Sequence, residues 1–128
     1  QIEFTKNLEK IVLNSDKEQI SRVFFNLIKN SIESIQQKAE NDRKFNKKVT
    51  IELSEIDDHI YIVIVDSGIG FSKVSSNIKD ILNPYFTTKK NGTGLGLSIV
   101  NKIISDHNGK IDFVPISDGA KIKIDFIK

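Results

Sequence analysis

VTIELSEIDDHIYIVIVDSGIG occupies residues 49–70. It holds two runs rich in β-branched and other apolar residues, separated by the polar pair Asp57 and Asp58. Two such runs around a short polar break predict a β-hairpin. The second run ends in DSGIG, whose glycines permit tight turns and a close approach of the backbone to a ligand. The stretch therefore predicts part of a sheet with a candidate binding turn at its end.

A long amphipathic helix is predicted before this hairpin. The SDKE sequence has the form of a capping box, with Ser15 as N-cap and Glu18 three residues later. The apolar residues that follow keep the helical period to about Ala39. Two short extended pieces are predicted upstream, at residues 2–7 and 10–14.

The C-terminal half predicts more helix and a second hairpin. A weak short helix is predicted at residues 73–82. A long helix is predicted from about Gly94 to His107, where Asn108 and the glycine after it provide a stop. A last hairpin surrounds the SDG sequence at 117–119. The element order predicts an α/β fold, a two-layer sandwich with a mixed, mostly antiparallel sheet and helices on one face.

The composition excludes several classes of protein. A chain of 128 residues is enough for one domain. The net charge of +2 does not indicate a nucleic-acid surface. There is no cysteine, which excludes disulfides and zinc–thiolate sites, and no apolar run reaches the length of a membrane span. Because the chain begins with Gln1 and has no methionine, we expect it to be an internal piece of a longer protein.

Five of the seven glycines fall in two clusters, DSGIG at 66–70 and GTGLG at 92–96. The second cluster runs into a predicted helix, whose N-terminus favours anions, so residues 92–97 are a reasonable phosphate site. Taken alone, such a glycine run is a structural turn about as often as it is a ligand site. A Walker A loop, a Rossmann fingerprint and the protein-kinase motifs are all missing from the sequence.

Polar residues near these clusters suggest a ligand for the site. Asp66 could accept a hydrogen bond from an exocyclic amine, such as that of adenine, or could simply cap a turn. Asn26, Asn30 and Glu33 are spaced by four and three residues and so share one helix face. Their oxygens suit Mg²⁺. The alternative is a helix edge that faces solvent.

Four motifs in order, NLIKNSIE, DSGIG, PYFTTK and GTGLGLSIV, resemble the N, G1, F and G2 boxes of the histidine-kinase catalytic ATP-binding domain. This HATPase_c domain of the GHKL superfamily has the Bergerat fold, which it shares with gyrase B, Hsp90 and MutL. The resemblance covers nearly the whole chain. PYFTTK and GTGLGLSIVNKIISDHNG are most similar to nitrogen-regulation sensor kinases of the NtrB/NtrY type.

The resemblance implies ATP and Mg²⁺ as cofactors and assigns roles to single residues. Asn30 matches the asparagine that binds the Mg²⁺ bridging the ATP phosphates. Asn26 matches a polar position near the γ-phosphate, and both asparagines are the implied catalytic residues. Asp66 matches the carboxylate that reads the adenine amine. Gly68 and Gly70 match glycines that let the base and the lid pack closely.

The resemblance also implies a lid over the nucleotide at about residues 71–91. The lid groups expected near the phosphates are Thr87, Thr88, Lys89 and Lys90. The residues that match the phosphate-side loop and the helix start are Gly92, Thr93, Gly94, Leu95, Gly96 and Leu97.

Three positions depart from the family pattern, and one of them is Ser34, which stands where many sensor kinases carry an aromatic residue. Glu33 lies on the implied cofactor-binding face where many sensor kinases carry Lys or Arg. A carboxylate near the triphosphate would be repulsive unless Mg²⁺ or a lysine offsets its charge. Lys121 stands where many relatives have a small hydroxyl residue near the adenine. His59 and His107 do not lie in segments that resemble a phosphoacceptor box, so both are expected to be structural or surface residues.

The implied function is that of one catalytic domain over residues 1–128, which binds Mg·ATP and donates the γ-phosphoryl group to a histidine. That histidine lies on a separate dimerisation domain, and a response regulator is reached through the parent kinase. The piece is expected to be monomeric and cytoplasmic and to bind no nucleic acid; membrane anchoring of the parent stays open. Alternatives are another GHKL enzyme, either an anti-sigma-type serine kinase or an ATPase module, and a degenerate, non-catalytic interaction module.

Overall fold

The computed structural model describes residues 2–6, 13, 15–41, 44–70, 96–114 and 116–127. These ranges contain, in chain order, β1 (Ile2–Lys6), α1 (Lys17–Ala39), β2 (Val49–Ile56), β3 (His59–Asp66), α2 (Gly96–Asp106), β4 (Gly109–Val114) and β5 (Ala120–Ile127). Both predicted hairpins and both predicted long helices are confirmed. No helix within these ranges is long and apolar enough to cross a membrane.

Some predicted elements lie outside the residues that the structure describes, so they stay predictions. The weak helix at 73–82 and the predicted start of the second long helix at Gly94 lie outside the described residues. So does the extended piece at 10–14, apart from Leu13, which is not in a strand.

Helix α1 has a different N-cap from the predicted one. Asp16, not Ser15, caps it: Asp16 Oδ1 accepts hydrogen bonds from the backbone N–H groups of Glu18 at 3.0 Å and Gln19 at 3.2 Å. These bonds satisfy two of the donors that every helix start leaves unpaired. The capping-box prediction is wrong by one position, because the sequence offers two adjacent residues that suit an N-cap.

The five described strands form one sheet in the order β1-β2-β3-β5-β4. Strand β1 pairs with β2 in parallel, and the other neighbouring strands are antiparallel. The register pairs Asp66, at the end of β3, with Ala120, at the start of β5. The sheet is therefore mixed and mostly antiparallel, as predicted, and the end of β3 lies beside the turn that precedes β5.

One face of the sheet packs against both helices. Every second residue of β3 and β5 is buried, as the period of a strand requires. The buried apolar side chains of the sheet form one cluster with those of α1 and α2. The helix members of this cluster are Val23, Leu27, Ile35, Val100, Ile103 and Ile104. This arrangement is the predicted two-layer α/β sandwich, and the alternation in β3 turns Asp66 toward the helices.

Candidate functional site

The carboxylate of Asp66 is the buried charge of the site. Asp66 is only 6% exposed, and it lies where β3 ends beneath α1. Burial raises the pKa of Asp66 above its ordinary value of 3.8. Three hydrogen bonds oppose this rise: one from the Gly68 N–H at 2.9 Å, one from the Ser31 side chain and one from the Ala120 backbone. These donors stabilise the ionised form that could accept a bond from a ligand amine.

Helix α1 holds the turn after β3 through a second serine. Ser34 Oγ accepts a hydrogen bond from the Ile69 N–H at 3.0 Å. A Cβ on Gly68 would overlap Ser34, including its hydroxyl oxygen. The close approach of α1 is therefore sufficient to explain the glycine at this position. The packing of a base against Gly68 stays a prediction.

The turn after β3 interlocks with the turn before β5. Gly119 has a φ of 87°, and a Cβ there would overlap the carbonyl oxygen of Asp66. Gly70 has a φ of 78° and lies against the carbonyl oxygen of Gly119. The two turns thus fix the backbone on both sides of the Asp66 carboxylate.

The two asparagines of α1 face the start of α2. Asn26 and Asn30 are half-buried, so they do not lie on a helix face that is open to solvent. The position that a Cβ would take on Gly96 is 3.8 Å from Asn26 Oδ1 and 4.0 Å from Asn30 Nδ2. The structure thus brings together three of the predicted residues, at distances where a methyl group on Gly96 would make ordinary van der Waals contact with both asparagines.

Glu33 lies one turn beyond these asparagines, and it has a cationic neighbour. Lys29 Nζ is 4.0 Å from Glu33 Oε1. This pair is an i, i+4 contact in which both side chains are partly exposed, so its electrostatic energy is small. It nevertheless supplies a lysine that can offset the negative charge of Glu33 near a phosphate.

The remaining predicted residues divide into those in the core and those not described. Leu97 is partly buried and packs against the apolar cluster, so it has a structural role. The proposed lid at 71–91 lies outside the described residues. So do the following predicted site residues: Thr87, Thr88, Lys89, Gly92, Thr93, Gly94 and Leu95.

Lys121 is directed away from the site by the strand alternation. It pairs with Val65 in the register of β3 and β5, whereas Ala120 pairs with Asp66. Successive side chains of a strand point to opposite faces of the sheet. Lys121 therefore lies on the face away from the helices, which explains why a lysine is tolerated at this position.

Sequence reasoning missed Ser31 and Gly119, and it identified Ser34 only as a departure from the family pattern. The two serines carried a signal, because small polar residues on the buried side of an amphipathic helix need hydrogen-bond partners. Ser31 is 2% exposed and finds its partner in Asp66. Gly119 was assigned only to a hairpin turn, and its contact with Asp66 depends on strand order.

A cation at this site would depend on amide oxygens. Among the described residues, no group of three or more His, Cys, Asp or Glu side chains could hold a metal ion. Asn26 and Asn30 offer neutral oxygen donors, which Mg²⁺ accepts together with water and phosphate oxygens. These donors fit a Mg²⁺ ion that arrives with a nucleotide better than a resident metal centre.

Comparison with known proteins gives one consistent result. Residues 15–127 match the family described as histidine kinase-, DNA gyrase B- and HSP90-like ATPases. The nitrogen regulation protein NtrY of Azorhizobium caulinodans is 33% identical over 111 residues, which cover 85% of this chain and 14% of that protein. Sporulation kinase A of Bacillus subtilis is 36% identical over 123 residues, which cover 94% of this chain and 18% of that protein.

A solved structure extends the likeness to the fold. The nucleotide-free catalytic domain of histidine kinase ThkA matches with a TM-score of 0.81 and 30% identity, over 99% of this chain and 78% of that one. The resemblance to histidine-kinase catalytic domains is confirmed. The chain spans less than a fifth of the length of the two full-length relatives above.

Proposed function

Since the chain belongs to the family of histidine kinase-, DNA gyrase B- and HSP90-like ATPases, we propose that it is the catalytic ATP-binding domain of a two-component sensor histidine kinase. The observation that carries the proposal is that one helix, α1, supplies both the serine that bonds the buried carboxylate of Asp66 and the amide side chains that face the start of α2. Asp66 contacts Ser31, and Asn30 is the preceding residue of α1. An acceptor for a base and oxygen ligands for a cation therefore lie close together.

Asp66 would select the base. An ionised carboxylate accepts a hydrogen bond from the exocyclic amine of adenine, whereas guanine presents a carbonyl oxygen at that position. Two acceptors repel, so the site would favour adenine. The hydrogen bonds from Gly68, Ser31 and Ala120 hold the carboxylate in place for this contact.

The phosphates would lie between α1 and the start of α2. Asn30 would hold Mg²⁺, and Asn26 would lie near the γ-phosphate. The ion would neutralise part of the phosphate charge during transfer. Helix α2 begins at Gly96, and its N-terminus favours the same anionic groups. The proposal assigns the lid to residues 71–91, with Thr87, Thr88 and Lys89 among its phosphate contacts.

The phosphoryl acceptor would be a histidine of another domain. In the transfer, the bond from the γ-phosphorus to the bridging oxygen breaks, a P–N bond forms and ADP leaves. His59 is seven residues from Asp66 along β3, roughly 23 Å at the rise of a strand. Both ring nitrogens of His107 already have hydrogen-bond partners, Ile103 and Asp16. Neither histidine therefore suits the acceptor role.

The proposed partners follow from this role. They are ATP and ADP, the dimerisation and phosphoacceptor domain of the parent kinase, and a response regulator reached through that parent. The proposed domain is monomeric, acts in the cytoplasm and binds no nucleic acid.

Calorimetric titration tests the nucleotide site. ADP and a non-hydrolysable ATP analogue would be titrated, with and without Mg²⁺, into the unmutated chain and into Asp66→Asn. Loss of a charge-assisted hydrogen bond should raise the Kd of the variant at least about tenfold. The absence of binding to a folded, unmutated chain would instead support the degenerate interaction module.

The product formed from ATP distinguishes the proposed histidine kinase from the alternative serine kinase and ATPase module. The isolated chain should not label itself with radioactive ATP, and an added dimerisation domain should acquire an acid-labile label. Acid-labile label on this chain alone would overturn the proposed acceptor. An acid-stable label on a substrate serine would favour the serine kinase, and release of free phosphate would favour the ATPase module.

A further inference from the structure

His107 connects the end of α2 to the start of α1. Its Nδ1 lies 2.8 Å from the carbonyl oxygen of Ile103, one turn back on its own helix. Its Nε2 lies 3.1 Å from the backbone nitrogen of Asp16, a residue 91 positions away in the chain. The ring is half-buried between the two helix ends.

These two partners determine the tautomer of the ring. A carbonyl oxygen can only accept a hydrogen bond, so Nδ1 must carry a hydrogen. A backbone N–H can only donate, so Nε2 must have its lone pair free. The two contacts together assign the Nδ1–H tautomer to the His107 ring.

The bond to Asp16 also completes the helix cap. The side chain of Asp16 accepts from the N–H groups of Glu18 and Gln19, but the backbone N–H of an N-cap residue needs a partner of its own. In a capping box this partner is the third residue of the same helix. Here His107 takes its place, so the start of α1 is stabilised by the end of α2.

This contact lies at the opposite end of the helix pair from the phosphate side of the site. Asp16 and His107 meet where α1 starts and α2 ends, whereas Asn26 and Asn30, in the middle of α1, approach Gly96 at the start of α2. The two contacts are roughly 15–20 Å apart at the rise of an α-helix. Buried residues of both helices fill the space between them within one cluster.

We propose that His107, held in its Nδ1–H form, is a positioning residue that fixes α1 against α2 and thereby sets the gap between Asn26, Asn30 and Gly96. The bonds at the two helix ends restrict how one helix slides or rotates on the other, and the packed cluster transmits that restriction. The functional part of this inference rests on the proposed nucleotide site, whereas the tautomer and the helix contact do not.

Two substitutions separate the bond to Asp16 from the bond to Ile103. In His107→Gln, the amide oxygen reaches about as far as Nε2 and can accept from the Asp16 N–H. In His107→Asn, the shorter amide can replace Nδ1 toward Ile103 but cannot reach Asp16. We expect His107→Gln to bind Mg·ADP within about twofold of the unmutated chain, and His107→Asn to bind roughly threefold to tenfold more weakly.

Nuclear magnetic resonance tests the geometry without nucleotide. Long-range proton–nitrogen correlations in the imidazole ring distinguish the two neutral tautomers. The chain has two histidines, so His59→Gln assigns the signals. We expect the Nδ1–H form for His107. We also expect the side-chain amide signals of Asn26 and Asn30 to move in His107→Asn but to stay near their original positions in His107→Gln.

The outcomes are distinct. An Nε2–H ring, or equal amide shifts in the two variants, would overturn the positioning role even if ADP binds well. Equal ADP affinity of the two variants would overturn its link to the site. If the unmutated chain binds no ADP, the proposed function fails and the link fails with it, while the expected tautomer and amide shifts would still support the helix contact.

Discussion

A buried carboxylate opposes folding, and Asp66 shows how this chain tolerates one. At 6% exposure, it has lost most of its contact with water, which disfavours the charged form. Donors from three different elements replace part of the lost solvation: Ser31 of α1, Gly68 of the following turn and Ala120 of β5. The carboxylate is therefore held in one orientation before any ligand arrives.

The raised pKa of Asp66 predicts a pH dependence of stability. Between 3.8 and the raised value, the folded state binds more protons than the unfolded state, so the free energy of unfolding falls as the pH rises. Above the raised pKa, this contribution is constant. Asp66→Asn lacks it. Urea unfolding from about pH 3 to 7 should therefore show the unmutated chain losing stability relative to the variant as the pH increases. A gain in the stability of the unmutated chain relative to the variant as the pH rises would contradict the dominance of burial.

Gly96 allows function to be separated from stability. A Cβ there would make ordinary contacts with Asn26 and Asn30 and no clash. Gly96→Ala should therefore keep the fold, and it should stabilise it by about 0.4–1 kcal/mol because the unfolded chain loses freedom. The same methyl group would occupy the gap proposed for the phosphates. We expect Mg·ADP affinity to fall while the melting temperature holds or rises, measured by calorimetric titration and thermal unfolding. A fall in both the Mg·ADP affinity and the melting temperature would show that Gly96 is needed for the fold.

At the residue scale, the sequence predicted the groups that a helix period or a strand end positions. Asn26, Asn30 and Asp66 are of this kind, since local spacing already determines where they point. Ser31 and Gly119 could not be assigned in the same way. Their contacts with Asp66 require the packing of α1 on β3 and the placement of β5 beside it.

At the scale of an element, the start of α1 depends on one side chain. Asp16 accepts from two backbone N–H groups that would otherwise lose a partner. Asp16→Ala should lower the free energy of unfolding by about 1 kcal/mol. Ser15→Ala is the matched control, because Ser15 is the neighbour that the sequence pattern favoured, and it should change stability by less than about 0.5 kcal/mol. Urea unfolding of both variants measures this. A larger loss of stability in Ser15→Ala than in Asp16→Ala would show that Ser15 is the N-cap of α1.

The turn before β5 is constrained by the backbone that it contacts. A Cβ at Gly119 would overlap the Asp66 carbonyl oxygen, and a φ of 87° disfavours any other residue. Gly119→Ala should therefore cost at least about 2 kcal/mol. Asp118→Ala, at an exposed position of the same turn, should be nearly neutral. Thermal unfolding compares the two. Equal stabilities would show that the turns do not interlock.

Element boundaries were predictable where the pattern was strong. The hairpins at 49–66 and 109–127 follow from alternating apolar residues and their turn signals. The sheet order was not predictable, because β5 is inserted between β3 and β4 by long-range packing. The preference for Asp16 over Ser15 depends on the local geometry of the helix start, which composition alone does not specify.

At the scale of the whole molecule, the two ends of the sheet have different tasks. The end that carries Asp66 gathers the polar groups of the proposed site. At the other end, His59 Nδ1 lies 2.7 Å from Asp125 Oδ1, and the His59 ring stacks on Tyr61. This second cluster lies on the face away from the helices, because His59 alternates with the buried residues of β3. This cluster has no described contact with the site, and its hydrogen bond joins the neighbouring strands β3 and β5.

This separation predicts that changes at the far end affect stability but not binding. His59→Gln removes the charge-assisted contact with Asp125, which is partly exposed and so worth about 1 kcal/mol or less. The Kd for Mg·ADP should stay within about twofold, because sites this far apart and without shared partners are energetically independent. Thermal unfolding and calorimetric titration should therefore give a lower melting temperature with unchanged affinity. In the double variant His59→Gln/Asp66→Asn, the change in the free energy of unfolding should equal the sum of the changes in the two single variants. A change in affinity at His59 would instead require a rigid connection through β3, and the sheet would then have to be treated as part of the site.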